Sequence, residues 1–377
     1  MDNLTLIFAG DLIPPVNTSI NIYSEQLLGV LRDKDFSLVN LETPITTSSD
    51  KICKTGRNFK VLLKGISAVK NGFFDAVALA NNHIRDFGDE GINETFSVLK
   101  DNQILSVGAG INNEEASQPL RINIKGTKIS LLNYSETEFN IATKLRAGAN
   151  QFDIIKAYYD IKAEKSLSDY VIVVYHGGLE YCYFPSPEII QRFKFLTDAG
   201  SDAIISHHTH RYSGILVYKE KPIFFGLGNF LANTISKSGV LEWRTGLVVK
   251  LKLNHGAVQY ELYPILMEEN FGSVSLLKNS EKQKILNHIN ELSEKIEDLT
   301  FLESFWKREY PYDVKRTLNI INSRNRLEYR LFKHFPIISN LMWSDYKLLN
   351  LLGMIQNDSN RYKLIESLRN LLFERGQ

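Results

Sequence analysis

Short apolar runs that each stop at a polar cluster set the pattern of this chain. Residues 4–9 (LTLIFA) end at Gly10-Asp11, and residues 36–39 (FSLV) end in Asn40-Leu41-Glu42. Residues 75–80 (DAVALA) run into Asn81-Asn82-His83, and the most β-branched run, 170–175 (YVIVVY), ends at His176-Gly177-Gly178. The run 202–205 (DAII) opens into Ser206-His207-His208-Thr209-His210. Apolar runs this short, bounded by turn formers, predict buried strands. Between them the spacing becomes helical, as at 90–102, where Ile92, Phe96 and Leu99 share a face. Further helices are expected at 23–31, 66–71, 154–166 and 187–199. Hairpins are expected at 121–133, turning through Gly126, and at 215–225, the second leading into Leu227-Gly228-Asn229-Phe230. Strands at 245–253 and 258–265 follow. Strands alternating with helices predict an α/β fold.

From about residue 280 the pattern turns helical throughout, with Ile285, Ile289, Leu292 and Ile296, then Leu348, Leu349, Leu352 and Ile355, then Leu364, Ile365, Leu368 and Leu371. The chain therefore divides into an α/β domain at 1–275 and a helical C-terminal region at 276–377. Lys315, Arg316, Arg324, Arg326, Arg330 and Lys333 make a basic stretch, followed by an apolar one with Trp343. Such a pairing lies on an anionic membrane or packs on the domain or a sister subunit, so residues 315–355 are the expected contact region.

Composition changes the picture only by exclusion. A net charge of +1 gives no argument for nucleic acid. Two cysteines, Cys53 and Cys182, exclude a disulfide framework and a cysteine-rich zinc module. No stretch approaches the roughly 20 apolar residues of a spanning helix, and the start lacks a basic, apolar leader. The expected location is cytoplasmic, with peripheral contact to the inner face of the membrane as the extension that the basic stretch suggests.

The polar clusters carry the chemistry. Asp11, Glu42, Asn82 with His83, His176, and His208 with His210 all follow strands expected to be neighbours in one sheet, where ligand sites of open α/β sheets lie. Singly, each has a plain reading: a turn former, a helix cap, a histidine bonded to backbone. Together they form a mixed oxygen and nitrogen set that suits zinc, manganese or iron rather than calcium. A carboxylate can bridge two such cations.

The motifs GD (10–11), NLE (40–42), ANNHIRDFG (80–88), HGGLEY (176–181), SHHTH (206–210) and LGNF (227–230) occur in that order. As a set, covering about residues 5–235, they resemble the CapA-type proteins. That family is named for poly-γ-glutamate capsule synthesis and lies within the calcineurin-like metallophosphoesterase superfamily. The resemblance implies a four-layer α/β sandwich, here with a C-terminal helical appendage, and two divalent metal ions (manganese, zinc or iron) at one end of the sheets. By position, Asp11 and His210 correspond to ligands of one metal, Glu42 to the bridging carboxylate, and Asn82, His176 and His208 to ligands of the second. His83 corresponds to the histidine that assists the leaving oxygen, with Asp86 orienting it; His207 remains structural. Glu180, Arg85 and Asn229 are expected to line the pocket of an anionic small-molecule or polymer substrate. The implied activity is hydrolysis of a phosphate ester or related anionic linkage in capsule or surface-polymer biosynthesis; the alternative is a non-catalytic or weakly catalytic assembly protein. The chain departs from the ordinary superfamily pattern at Ile13, which stands where a histidine ligand is usual, and at Asn40-Leu41-Glu42, which replaces a GDxxD motif. From the CapA pattern itself it departs at Gly177, where an aromatic is usual, and at Ser206 and Thr209, in place of Gly and Pro.

Overall fold

The computed structural model describes residues 4–15, 22–54, 56–232, 241–268, 272–309 and 345–365. The basic run 315–333, the apolar stretch around Trp343, and Leu368 and Leu371 lie outside the described residues.

Two sheets carry the α/β unit. In the first, β1 (Leu4–Ile13), β2 (Phe36–Leu41), β3 (Ala76–Ala78) and β4 (Leu105–Val107) run parallel in that order. On the other side of β1 come β14 (Thr245–Asn254), β15 (Ala257–Met267) and β16 (Val274–Leu276), all antiparallel, while β13 (Asn229–Ala232) pairs with the end of β1. The second sheet has the order β11 (Ile215–Tyr218), β12 (Lys221–Phe224), β10 (Ala203–His207), β9 (Tyr170–His176), β7 (Thr127–Ser135) and β6 (Leu120–Ile124). A small ribbon pairs β5 (Ala109–Gly110) with β8 (Gly148–Ala149).

Alternation along each strand decides which layer it faces. Leu4, Leu6 and Phe8 of β1 join Leu38, Ala76, Ile129, Leu131, Ile172, Val174 and Ile205 in one core between the two sheets. Ile7, Ala9, Val39, Leu41 and Val77 point the other way, onto α1 (Glu25–Arg32), α2 (Ile66–Asn71) and α3 (Gly88–Asp101). The outer face of the second sheet is covered by α5 (Ile154–Lys165) and α6 (Pro187–Ala199), where Phe193 meets Tyr175 edge-on at 5.1 Å. Strands buried on both faces explain the near-continuous apolar runs in the sequence. The layering is helix, sheet, sheet, helix, the four-layer α/β sandwich implied by the resemblance. The short α4 (Asn113–Ala116) and α7 (Leu241–Arg244) lie in connections.

One compact unit comprises residues 1–52 and 58–298. It includes α8 (Asn279–Glu297), whose Ile289 and Leu292 are buried in the core between the sheets and whose Ser293 hydroxyl accepts from the Ile215 amide at 2.8 Å. The compositional boundary at 275 falls before this helix. The second unit, 53–57 with 299–377, contains α9 (Leu299–Glu309) and α10 (Asp345–Gln356), with Trp306 and Tyr362 ring to ring at 5.6 Å. Among the described residues, no helix is long and apolar enough to cross a membrane.

Two strand expectations change. Strand β1 does not stop at Gly10 but continues to Ile13 across a shift in register between Ala9 and Asp11. A side chain at Gly10 would put its Cβ 2.0 Å from the Gly228 carbonyl oxygen, so glycine is what lets β13 close on β1 there. The polar clusters also do not share one sheet. Asp11, Glu42 and Asn82 come from the first sheet, and His176, His208 and His210 from the second, because face-to-face stacking brings the strand ends of both sheets together.

Candidate metal centre

Six side chains from five strand ends meet at one edge of the sandwich. Asp11 sits in the bulge of β1, its Oδ1 accepting from Asn40 Nδ2 at 2.8 Å and its Oδ2 from the His208 amide at 3.2 Å. Glu42, one residue past β2, is wholly buried. His176 ends β9, and its Nε2 lies 3.1 Å from Asn82 Oδ1, 3.1 Å from His208 Nδ1 and 3.5 Å from Glu42 Oε1. His210 Nδ1 is 3.4 Å from Asp11 Oδ2 and 3.8 Å from Glu42 Oε2. Two groups of three emerge, Glu42–His176–His208 and Asp11–Glu42–His210, with the donor atoms of each within 4.8 Å of one another. Glu42 belongs to both.

The electrostatics show what this arrangement lacks. Neither oxygen of Glu42 has a hydrogen-bond partner among the described residues, although the side chain is completely buried. A buried carboxylate in that state costs several kcal/mol on the order-of-magnitude scale for unpaired ions. Burial, and then the nearby Asp11 carboxylate, push Glu42 well above the usual carboxylate range. Burial likewise drives His176 well below its ordinary value, with His208 beside it adding to the effect, and burial lowers His208. Burial thus disfavours the charged form of both imidazoles, the form that cannot bind a metal. Burial opposes charge on His210, yet Glu42 and Asp11 outweigh it and push the ring up to about 10. For Asp11, burial acts upward, but His207 and His210 hold it well below the normal range. Imidazoles and carboxylates crowded around an oxygen pair that has no hydrogen bond among the described residues fit a divalent cation, whose oxygen and nitrogen ligands sit at about 2.0–2.2 Å. A proton on His210 does in part what a cation would do in full.

The fold strains itself to build this. His208 and His210 have φ of 87° and 52°, in the left-handed region that non-glycine residues rarely occupy. His207 Nδ1 lies 3.2 Å from Asp11 Oδ1, but neither ring nitrogen makes a hydrogen bond among the described residues. That contact is electrostatic, and the ring stays on the buried side of β10.

The remaining expected residues divide. His83 and Asp86 come together, Nδ1 to Oδ2 at 2.7 Å, with Phe59 packed on the imidazole at 4.6 Å and the Phe59 amide donating to the same Asp86 oxygen at 2.7 Å. Glu180 is exposed, and its charge acts on Glu42, His208 and His210. Asn229 is wholly buried; its Oδ1 lies 3.0 Å from His210 Nδ1 and its Nδ2 donates to the Trp243 carbonyl at 3.1 Å, so the side chain holds His210 in place. Arg85 donates to the Ala147 carbonyl at 2.9 Å and to Asp89 at 3.0 Å. Ile13 packs into the apolar layer against the helices. At Gly177 an added Cβ would lie 2.5 Å from Glu136 Cγ and 2.6 Å from the Tyr175 hydroxyl, so the packing leaves no room for a side chain there.

Residues 5–234 match the family described as Bacterial capsule synthesis protein PGA_cap. The chain belongs to this family. Relatives of the chain include the "Capsule biosynthesis protein CapA" of Bacillus anthracis and the "PGA biosynthesis protein CapA" of Bacillus subtilis (strain 168). The first is 30% identical over 71% of this chain and 68% of that protein, the second 28% identical over 78% and 74%. Among solved structures, a 5'-nucleotidase precursor from Thermus thermophilus aligns over 77% of this chain and 59% of its own, at 13% identity and a TM-score of 0.44.

One residue of the site was not singled out from sequence. Asn40 Nδ2 reaches Asp11 Oδ1 at 2.8 Å and His176 Nδ1 at 3.2 Å, so a single amide orients one residue from each trio. Its place in the NLE motif was the available signal; its function follows only from the pairing of Asp11 with Asn40 across β1 and β2. Asn40→Leu is expected to weaken divalent-metal affinity about 10–100-fold, the usual effect of removing a group that orients ligands. Competition against a chromophoric chelator measures it, and an unchanged affinity would reduce Asn40 to packing.

Proposed function

We propose that this protein is a metal-dependent hydrolase that cleaves a phosphate ester or related anionic linkage in the making of a capsule or similar surface polymer. The observation that carries the reading is Glu42, wholly buried, shared by both trios and, among the described residues, without a hydrogen-bond partner on either oxygen. Asp11 and His210 would hold one divalent ion, Asn82, His176 and His208 a second, and Glu42 both. Manganese, zinc and iron suit such donors. When bound, such ions polarise a phosphoryl oxygen and make water a nucleophile at neutral pH. Asn40 and Asn229 would fix the orientation of Asp11, His176 and His210. In hydrolysis the water oxygen bonds to phosphorus as the ester bond breaks; His83, steadied by Asp86, gives the departing oxygen the proton that balances the one lost by water. The names of the Bacillus relatives support the capsule setting.

A second reading, an assembly protein with a metal but little turnover, is favoured by Ile13, which leaves the Asp11–His210 side one ligand short of the usual pattern. Elemental analysis of the purified protein, with a chromogenic phosphoester screen and manganese, zinc, iron and magnesium added back, decides between them. About two equivalents of metal with turnover is the expected result; metal without turnover selects the second reading, and less than one equivalent under every condition overturns both.

A further inference from the structure

Beside His210 stands an aromatic wall that none of the chemistry above uses. Tyr181, which closes the HGGLEY motif, has its ring 5.7 Å from that of His210 and stacked on Trp243 at 4.5 Å with an interplanar angle of 24°. It is 41% exposed, so Trp243 and His210 leave a large part of the residue open. Its backbone is left-handed, φ 62°, a costly conformation for a bulky residue and a common mark of a functional position. The same residue is tied to the histidine loop, its amide donating to the Thr209 carbonyl at 2.8 Å. The ring is therefore held rigidly against the candidate metal centre rather than swinging in solvent. Its phenol lies in the field of the site, since burial first, then Glu180 and Glu42, push it up to about 12. Trp243 contributes a second unspent feature: its indole Nε1 is shielded from solvent and has no acceptor among the described residues.

An exposed ring, strained and braced from behind at the edge of a buried ligand set, is an expensive way to cover a surface and a direct way to offer a flat apolar face to a ligand. We infer that Tyr181, supported by Trp243, is the residue that determines specificity for the group attached to the reacting anion, and that this group presents a flat ring, such as an aromatic ring or the apolar face of a sugar. Stacking of this kind adds roughly two- to twelvefold in affinity. The inference rests on the metal-centre reading above, since the ring can select a substituent only if the anion is held by the ions.

The test uses the full chain loaded with manganese and two phosphonates that phosphoester hydrolysis cannot cleave, phenylphosphonate and methylphosphonate, titrated calorimetrically. Phenylphosphonate is expected to bind roughly tenfold more tightly than methylphosphonate. Tyr181→Gly, which suits the left-handed backbone, should erase that preference with metal content and methylphosphonate affinity unchanged, while Tyr181→Phe should keep it. Trp243→Leu, which removes the brace and leaves Tyr181 present, should reduce it and serves if the glycine variant does not fold. Equal affinities in the metal-loaded wild type, or a preference that survives Tyr181→Gly, would overturn the inference and leave the metal centre standing. A protein that takes up no metal would overturn both.

Discussion

Replacing Glu42 by glutamine is expected to raise the melting temperature of the chelator-treated protein and to erase the stabilisation that added manganese or zinc gives the wild type. The two halves of this result have one cause. Without a cation, Glu42 is a buried acid with no hydrogen-bond partner on either oxygen among the described residues, and burial and the negative charge of Asp11 both oppose its ionisation. An amide of the same shape removes that conflict, for a gain of about 1–2 kcal/mol or roughly 2–6 °C in a domain of this size. With a cation the order reverses: a metal at a hundred times its dissociation constant stabilises the wild type by about 2.7 kcal/mol, and the glutamine variant forgoes it. Turnover should vanish with the metal. Differential scanning fluorimetry in chelator and in a metal series reads both effects. If the variant melts lower in chelator and keeps its metal response, Glu42 is a structural carboxylate and the shared-ligand assignment fails.

Most of the fold was legible because its strands are buried on both faces. A run such as 170–175 has no polar alternation to blur its ends, and the structure places β9 at Tyr170–His176. The helix expected at 187–199 is found as Pro187–Ala199, since Ser186 caps it through the Ile189 amide and Gly200, with φ 123°, ends it. What could not be seen along the chain is what depends on two strands at once. The continuation of β1 past Gly10 needs the β13 backbone beside it. The division of the candidate ligands between two sheets needs their stacking. The same holds within the site: Asp11, Glu42, His176, His208 and His210 announce themselves as polar residues at the ends of apolar runs, whereas Asn40 becomes meaningful only opposite Asp11. Asn229 was expected to face substrate, but its register against Asp11 in β13 turns its side chain to His210. Sequence shows which residues are chemically able, and register decides what each one touches.

Removing the His83 imidazole should separate the chemistry of the leaving group from the binding of metal. His83→Gln is expected to lower kcat by about 10²–10⁴ on alkyl phosphoesters, the range for loss of a positioned general acid, with metal stoichiometry unchanged. The loss should be far smaller on p-nitrophenyl esters, because p-nitrophenolate departs without needing a proton while an alkoxide does not. Asp86→Asn should follow the same pattern more weakly: the pairing of His83 Nδ1 with Asp86 Oδ2 at 2.7 Å loses its charge, while the asparagine oxygen can still accept from the Phe59 amide. The comparison of leaving groups discriminates between roles that a single rate cannot. A residue that merely shapes the pocket would depress both substrates alike, and one that ligates metal would take the metal with it. An equal loss on alkyl and p-nitrophenyl esters would remove His83 from proton transfer, and a fall in bound metal would move it into the ligand set beside its neighbour Asn82.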